Sequence, residues 1–405
     1  MKRPVRLLAL ALLVPMAVSG CVFDAERRAG EEIVDEFTDA TFYDLPATLE
    51  PGDPGDIIRA REILSAPLGT QAWRVIYHSR DMAGNDIPVA GIVIVPDGPA
   101  PEEGRTIVSW AHPTTGSAQK CGPSLDSNPF LLIEGMDELL AAGYAVAATD
   151  YQGMSVAGAS SYLLGVTEGN NVLDAARAAR NLEGTGVGSR LLLWGHSQGG
   201  QAALFAAQQV RDYAPEFELE AVAVAAPAAD LRQLLTDDIV DLSGVTITSY
   251  AFPAFTAAYA DRYSQAQMEA ILTPEGLAAT PKMAALCLLS ENKAIHAIAE
   301  PLVGHYVTSD PATTEPWATL LAENSAGSAP IDVPLYVAQG LADTLVLPKV
   351  TTSFVQRLCD SGEDVTFQTF SGVTHGFVAD VATPDVVGFF VGVERGSHPG
   401  GNCGE

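Results

Sequence analysis

Positive charge is scarce in this chain: 22 lysine and arginine residues stand against 50 aspartate and glutamate residues, a formal net charge of −28. Such a surface repels polyanions, so no nucleic-acid partner is expected and an uncharged substrate suits it best. The acidic excess in itself is accounted for by the need to keep an exported protein soluble. Charged residues of both signs make up only 18% of the chain against 47% hydrophobic ones. This excludes bulk disorder and leaves apolar side chains enough for one large core or two smaller ones. No Cys-x-x-Cys, His-Glu-x-x-His or calcium-loop pattern occurs, so no metal or other cofactor is expected. Internal repeats are lacking as well.

Cysteine is sparse, five in 405 residues, and its placement is informative. A basic stretch, Met1 to Arg6, precedes the apolar run Leu7 to Val18, which is too short to span a membrane as a mature helix and reads as an export signal over residues 1–20. Its end, Val18-Ser19-Gly20-Cys21, resembles the lipobox of bacterial lipoproteins, in which the cysteine thiol takes a diacylglyceryl group. That resemblance implies a mature chain anchored through acyl groups on Cys21 to a cell-surface membrane, the alternative being plain secretion. Cys121, Cys287, Cys359 and Cys403 remain, an even number in an exported chain, and disulfides are expected. Four cysteines allow three connectivities, among which spacing does not choose.

The chain is organised around Leu191-Leu192-Leu193-Trp194-Gly195-His196-Ser197-Gln198-Gly199-Gly200, an apolar strand breaking into Gly-x-Ser-x-Gly and then into a helical pattern. This is the order of a nucleophile elbow, in which small neighbours let a strained residue present its side chain at the tip of a sharp turn. Around it the chain reads as follows. Residues 21–65 form a tether and N-terminal wrap, with a short helix at Ile57 to Leu64. Trp73 to His78 and Val89 to Val95 form an antiparallel hairpin. Strands at Thr106 to Trp110, Tyr144 to Ala148 and Arg190 to Trp194 alternate with helices near Phe130 to Ala142 and Asn170 to Leu182. A sixth strand follows at Leu219 to Ala226. Residues 230–328 lack another strand run of that strength and are too long for a loop, so a helical cap is expected there. The core resumes with a strand at Val333 to Gly340, a helix from Pro348 to Cys359, a strand at Val365 to Phe370 and a helix starting at Thr383-Pro384. Strands alternating with helices imply a mostly parallel sheet covered on both faces. The whole resembles the α/β-hydrolase fold, with its core in residues 66–229 and 329–405 and the cap inserted after the sixth strand.

A serine hydroxyl needs an imidazole to take its proton and a carboxylate to orient that imidazole. In this fold the chain order is serine, acid, histidine. His375, in Thr374-His375-Gly376 after the last strand, is the candidate base. Three aspartates follow strands: Asp150, Asp230 and Asp343. Asp150 precedes Ser197, which breaks the order and suggests a loop-fixing role. Asp230 lies at the mouth of the cap. Asp343, in a tight Gly-x-x-Asp turn after a buried strand, is favoured. The N–H of Gln198, at the N-terminus of the elbow helix, supplies one donor to an oxyanion, and the loop Trp110 to Ser117 should supply the second. His112 in that loop is a second candidate base, but its position favours a loop-shaping role. Phe252, Pro253, Phe255, Tyr259 and Tyr263 form an apolar cluster that either lines an acyl pocket or makes the cap's own core.

Gly-His-Ser-Gln-Gly-Gly, His112-Pro113-Thr114-Thr115-Gly116 with Cys121-Gly122-Pro123-Ser124, Asp150-Tyr151-Gln152-Gly153, Gly340-x-x-Asp343 and Thr374-His375-Gly376 together resemble the secretory lipases of the lipase A type, over residue 40 to the C-terminus. The resemblance implies a catalytic Ser197, Asp343 and His375, oxyanion donors at Gln198 and Thr115, and disulfides Cys121–Cys287 and Cys359–Cys403. Fungal members carry an acidic residue where this chain has Thr115, which affects a side-chain contribution but not a backbone one. The expected activity is hydrolysis of carboxylic esters or lipids through an acyl-enzyme. The alternatives are another serine acyl hydrolase, such as a peptidase or thioesterase, or a non-enzymatic lipid-binding lipoprotein.

Overall fold

The computed structural model describes residues 41–403; the export signal and Cys21 lie outside the described residues. The expected hairpin is formed by β2 (Thr70–Arg80) and β3 (Asp86–Pro96), paired from Thr70↔Pro96 to Arg80↔Asp86. Its turn is closed by the Asp81 carboxylate, which accepts the N–H groups of Ala83 and Asn85 at 2.9 Å each.

Ahead of the hairpin, the segment expected as a helix is a strand, β1 (Ile57–Glu62), antiparallel to β2. The reason is a period of two: Arg59 and Arg61 both lie over the ring of Phe42, 6.0 and 4.8 Å from its centroid, and residues two apart share a face only in a strand. The sheet therefore begins inside the stretch expected as a wrap.

Six strands complete the sheet: β4 (Arg105–Ala111), β5 (Ala145–Thr149), β6 (Val187–His196), β7 (Glu218–Ala225), β8 (Leu335–Gly340) and β9 (Val365–Phe370). Among the described residues the order is β1-β2-β3-β5-β4-β6-β7-β8-β9, antiparallel as far as β5 and parallel from there on. β4, β5 and β8 are buried along their whole length, as parallel strands covered on both faces must be. Along β6, Leu191 and Leu193 pack with α2 (Gly165–Asn181), α3 (Gln198–Tyr213) and α10 (Pro348–Asp360). Leu192 and Trp194 point the other way, toward α1 (Met136–Ala141) and α11 (Val378–Glu394). An antiparallel beginning, a parallel centre and an elbow after β6 constitute the expected α/β-hydrolase fold, with β1 added at the edge.

Two helix boundaries differ from expectation. The stretch Phe130 to Ala142 is broken at Gly135, whose φ of 83° separates a 3-10 turn at Pro129–Leu132 from α1. The last helix starts at Val378, so Pro384 lies inside it rather than at its start. The carbonyl that Pro384 leaves without an N–H partner belongs to Asp380, which is exposed and can bond water.

Between β7 and β8, where the helical cap was expected, the chain forms α4 (Leu231–Asp238), α5 (Leu242–Ala258), α6 (Gln265–Glu269), α7 (Pro274–Ala284), α8 (Leu288–Ala299) and α9 (Trp317–Glu323). Their apolar residues join the core on the Leu192 and Trp194 face.

Candidate active site

The elbow is held open by sterics. Ser197 has φ 57° and ψ −116°, a region that only surrounding constraint maintains for a residue with a Cβ. Its N–H donates to Ala225 O and its carbonyl accepts from Ala228 N–H, both at 2.9 Å, so the end of β7 pins it on two sides. A Cβ at Gly195 would stand 2.2 Å from Gly199 O, and one at Gly199 would stand 1.9 Å from Ala111 O. The glycines flanking Ser197 are therefore required by backbone approach.

Ser197 meets the two expected partners. His375 Nε2 is 2.9 Å from Ser197 Oγ, and His375 Nδ1 is 2.8 Å from Asp343 Oδ2. The other oxygen of Asp343 accepts the N–H groups of Leu345 and Val346 at 2.9 Å each, while Gln339 Nε2 lies 3.3 Å from Oδ2. Asp343 is buried and fixed by its own turn, and that turn aims one lone pair at the imidazole. Burial lowers the pKa of His375 below its ordinary value, with the Asp343 carboxylate opposing the shift. The neutral ring, able to accept a proton, is thereby favoured.

The other two aspartates are committed elsewhere. Asp150 accepts Ser124 N–H at 3.0 Å and the hydroxyls of Ser124 and Ser155, and burial pushes its carboxyl up to about 6. It fixes a loop, as its sequence context suggested. Asp230 caps α4 through Gln233 N–H at 3.1 Å and pairs with Arg357 at 2.9 Å. His112 is buried against Tyr151, with Nδ1 2.6 Å from Pro113 O, and desolvation pushes its pKa down to about 4. It shapes its loop as a neutral ring.

Gln198 opens α3, and its N–H, at the first helical position, has no intrahelical acceptor. The second expected donor, Thr115, is buried. Its hydroxyl donates to Cys121 O at 2.8 Å, and its carbonyl accepts from Leu288 N–H at 2.8 Å. Its neighbour Thr114 lines a cavity together with Ser197 and shares a 2.8 Å hydrogen bond with the Tyr162 hydroxyl. The disulfides are Cys121–Cys287 and Cys359–Cys403, with Cα separations of 5.3 and 5.5 Å. The first ties the Thr114–Cys121 loop to the start of α8.

A cavity opens beside Ser197 and Gln198. Its walls are largely apolar, with Leu231, Leu234, Ile247, Phe255, Trp317 and Leu321 among them. The aromatic cluster is split between its two readings. Phe255 lines the cavity, whereas buried Phe252 and Tyr259 belong to the packing of the helices, where Phe252 stacks on Trp317 at 5.0 Å.

Three contacts had no signal in the sequence. His196, the residue between Gly195 and Ser197, packs its ring against that of His375, tilted, with centroids 5.0 Å apart, and its Nδ1 lies 2.9 Å from Glu134 Oε2. Glu168, buried in α2, accepts from Gln198 Nε2 at 2.7 Å, and burial holds its carboxyl well above the usual carboxylate range. Each pair joins distant segments, so neither motif nor periodicity could have linked them. Among the described residues there is no group of three or more histidine, cysteine or acidic side chains placed to hold a metal.

Comparison with known proteins agrees with this architecture. The Secretory lipase family profile matches residues 131–387, more than half of the chain. A probable inactive lipase of Mycobacterium tuberculosis is 30% identical over 210 residues, 48% of this chain and 46% of its own, so this chain matches about half of that relative's length. Lipase 6 of Candida albicans is 25% identical over 79% of this chain and 73% of its own. A secreted triacylglycerol lipase of Malassezia globosa is 22% identical over 90% and 80%. Among solved structures, Candida antarctica lipase A superposes with a TM-score of 0.75 at 19% identity, covering 91% of this chain and 88% of that one. The rice cell wall degrading esterase LipA from Xanthomonas oryzae gives a TM-score of 0.68 at 18% identity, covering 85% and 98%.

Proposed function

Since the chain belongs to the secretory lipase family, we propose that it is an exported serine hydrolase that cleaves carboxylic esters of lipid type through an acyl-enzyme. The observation that carries this reading is the hydrogen-bonded line Asp343–His375–Ser197, with spacings of 2.8 and 2.9 Å, opening onto an apolar cavity. Ser197 Oγ attacks the ester carbonyl while His375 Nε2 takes its proton. Asp343 holds the Nδ1–H tautomer and stabilises the imidazolium that forms. The oxyanion is met by the N–H of Gln198, aided by the positive end of α3, and by the N–H of Thr115 from the disulfide-tied loop. His375 then gives its proton to the departing alcohol. Water, deprotonated by the same imidazole, releases the acid and restores Ser197. The inserted helices act as a cap whose inner wall receives the acyl chain. One relative bears the name of an inactive lipase; the intact arrangement of serine, histidine and aspartate supports activity here.

Reaction with a fluorophosphonate probe tests the nucleophile: labelling at Ser197 that is lost in Ser197→Ala is expected, and an unlabelled folded protein overturns the reading. A hydrolysis profile across acyl lengths, run against amide and thioester analogues, separates an ester hydrolase from a peptidase or thioesterase. We further propose that the chain is held at a membrane by acyl groups on Cys21, on the strength of Val18-Ser19-Gly20-Cys21.

A further inference from the structure

The cavity is apolar except for a few atoms, and those atoms differ in whether they are satisfied. Near the nucleophile, Thr114 and Tyr162 hydrogen-bond each other at 2.8 Å and need no third partner. On the inserted helices the situation is different. Thr248, on α5, lines the cavity and is buried, yet its hydroxyl has no hydrogen-bond partner among the described residues. A helical threonine ordinarily satisfies itself on the carbonyl four residues back. Thr246 does so on Leu242 O at 2.9 Å and Thr256 on Phe252 O at 2.8 Å, both on the same helix. The Thr248 hydroxyl makes no such bond to Gly244 O, and a buried hydroxyl without a partner is costly unless something else occupies it.

The second atom group is the carboxyl of Asp238, the last residue of α4. It lines the same cavity and takes no hydrogen bond or ion pair among the described residues. Both residues line the cavity, and Gly244 seats their two helices against each other. A Cβ there would stand 1.9 Å from Asp238 O, so the first turn of α5 rests directly on the end of α4. Thr248 lies one helical turn further along that same face. Burial, reinforced by the neighbouring acids Asp241, Asp237 and Asp343, pushes the Asp238 carboxyl up to about 7. Lys349 opposes the shift but is itself bound to Asp237 at 2.7 Å.

We propose that Thr248 and Asp238 form a polar subsite in the wall of the acyl cavity, selecting esters that carry a neutral hydroxyl group over plain alkyl esters. The subsite presents one donor and one acceptor whichever way the carboxyl is protonated. A carboxylate accepts the ligand O–H while Thr248 donates to its oxygen, and a carboxylic acid donates while Thr248 accepts. An anionic group is disfavoured by the three surrounding acids, and a cation by the apolar walls that would strip its water. A hydroxyl satisfies both atoms at the least desolvation cost. This inference rests on the reading of Ser197 as the nucleophile of an ester hydrolase.

The hydroxyl could lie on the acyl chain or on the alcohol, and matched substrates separate the two. The full chain is assayed with chromogenic esters of one acyl length, with and without a hydroxyl on the chain, and with esters of one acid whose alcohol carries or lacks a second hydroxyl. The readout is the ratio of kcat/KM, hydroxylated to plain, in wild type, in near-isosteric Thr248→Val and in Asp238→Asn. A preference of about tenfold is expected in one arm, the size of one well-made hydrogen bond, with Thr248→Val removing most of it. Equal ratios in both arms, or a preference that survives both variants, overturn the subsite. Thermal stabilisation by a non-cleavable alkyl ketone with and without the hydroxyl gives a second readout independent of turnover. If no ester is cleaved but the hydroxylated ketone stabilises the wild type more than Thr248→Val, the hydrolase reading fails and the subsite stands. If the two ketones stabilise equally, the subsite fails.

Discussion

Replacing Asp343 by asparagine is the most informative single change, because the structure specifies which of its bonds survive. One oxygen accepts the N–H groups of Leu345 and Val346, and asparagine can keep both by leaving its carbonyl there. Its amide nitrogen then occupies the position of Oδ2, which faces His375 Nδ1 at 2.8 Å and Gln339 Nε2 at 3.3 Å. A donor now meets Nδ1, so the ring must take the opposite tautomer, with its proton on Nε2. In that state it donates to Ser197 Oγ and cannot accept the hydroxyl proton. Losing the correct tautomer and the charge that stabilises the imidazolium costs roughly 10³ to 10⁴ in turnover, or about 4 to 5.5 kcal/mol of barrier. The assay is initial-rate hydrolysis of a soluble p-nitrophenyl ester, with thermal unfolding to show that the variant is folded. Asp230→Asn, which touches Arg357 rather than His375, should retain far more activity. Adding Ser197→Ala to Asp343→Asn should cost much less than the product of the two single losses, since these residues act as a unit. A folded Asp343→Asn enzyme within about tenfold of wild type would refute the assignment, tenfold being only about 1.4 kcal/mol.

Other expectations follow from the same geometry. His375 must be neutral to act as base and burial lowers its pKa, so kcat/KM for an uncharged ester should be high above that pKa and fall as pH drops through it. The midpoint should lie below the ordinary histidine value of about 6.5, and one clearly above it contradicts the burial argument. Breaking Cys121–Cys287, which spans 166 residues, removes up to about 5 kcal/mol of stability by chain entropy and frees the loop carrying Thr115. A Cys121→Ala, Cys287→Ala variant should melt earlier and lose turnover, and an unchanged melting temperature would count against the tether. Phe255→Ala should alter the acyl-length profile, whereas Tyr259→Ala should lower stability by about 3 to 5 kcal/mol with the profile unmoved. Cys21→Ser should release the protein from the membrane fraction or stall its processing. Unchanged fractionation and mass would remove the anchor.

What the sequence by itself determined is whatever local sterics or chain order dictate. Gly195 and Gly199 are demanded by backbone contacts within and beside one turn, so the elbow is visible as a pattern around Ser197. The apolar runs of β4 to β8 announce strands covered on both faces, and the placing of Asp343 and His375 after successive strands follows from a parallel sheet, whose strands all end at one edge. Tertiary structure alone decided matters in which the partner lies far along the chain. Ile57–Glu62 is a strand because β2 offers it a ladder and Phe42 a ring, although the pattern from Ile57 to Leu64 also suits a helix. Phe255 and Tyr259 are one helical turn apart and alike in composition, and only the packing of α9 sends the first to the cavity and the second to the core. Thr114 and Thr115 are adjacent and identical, and the disulfide-held path of their loop turns one toward Tyr162 and the other toward Cys121. The pairing of His196 with Glu134 spans 62 residues, and Thr248, unlike Thr246, lines the cavity and has an unpartnered hydroxyl. Motifs record what a residue's immediate neighbours require, whereas contacts across long loops depend on where the whole sheet places its edges, and no stretch of sequence carries that information alone.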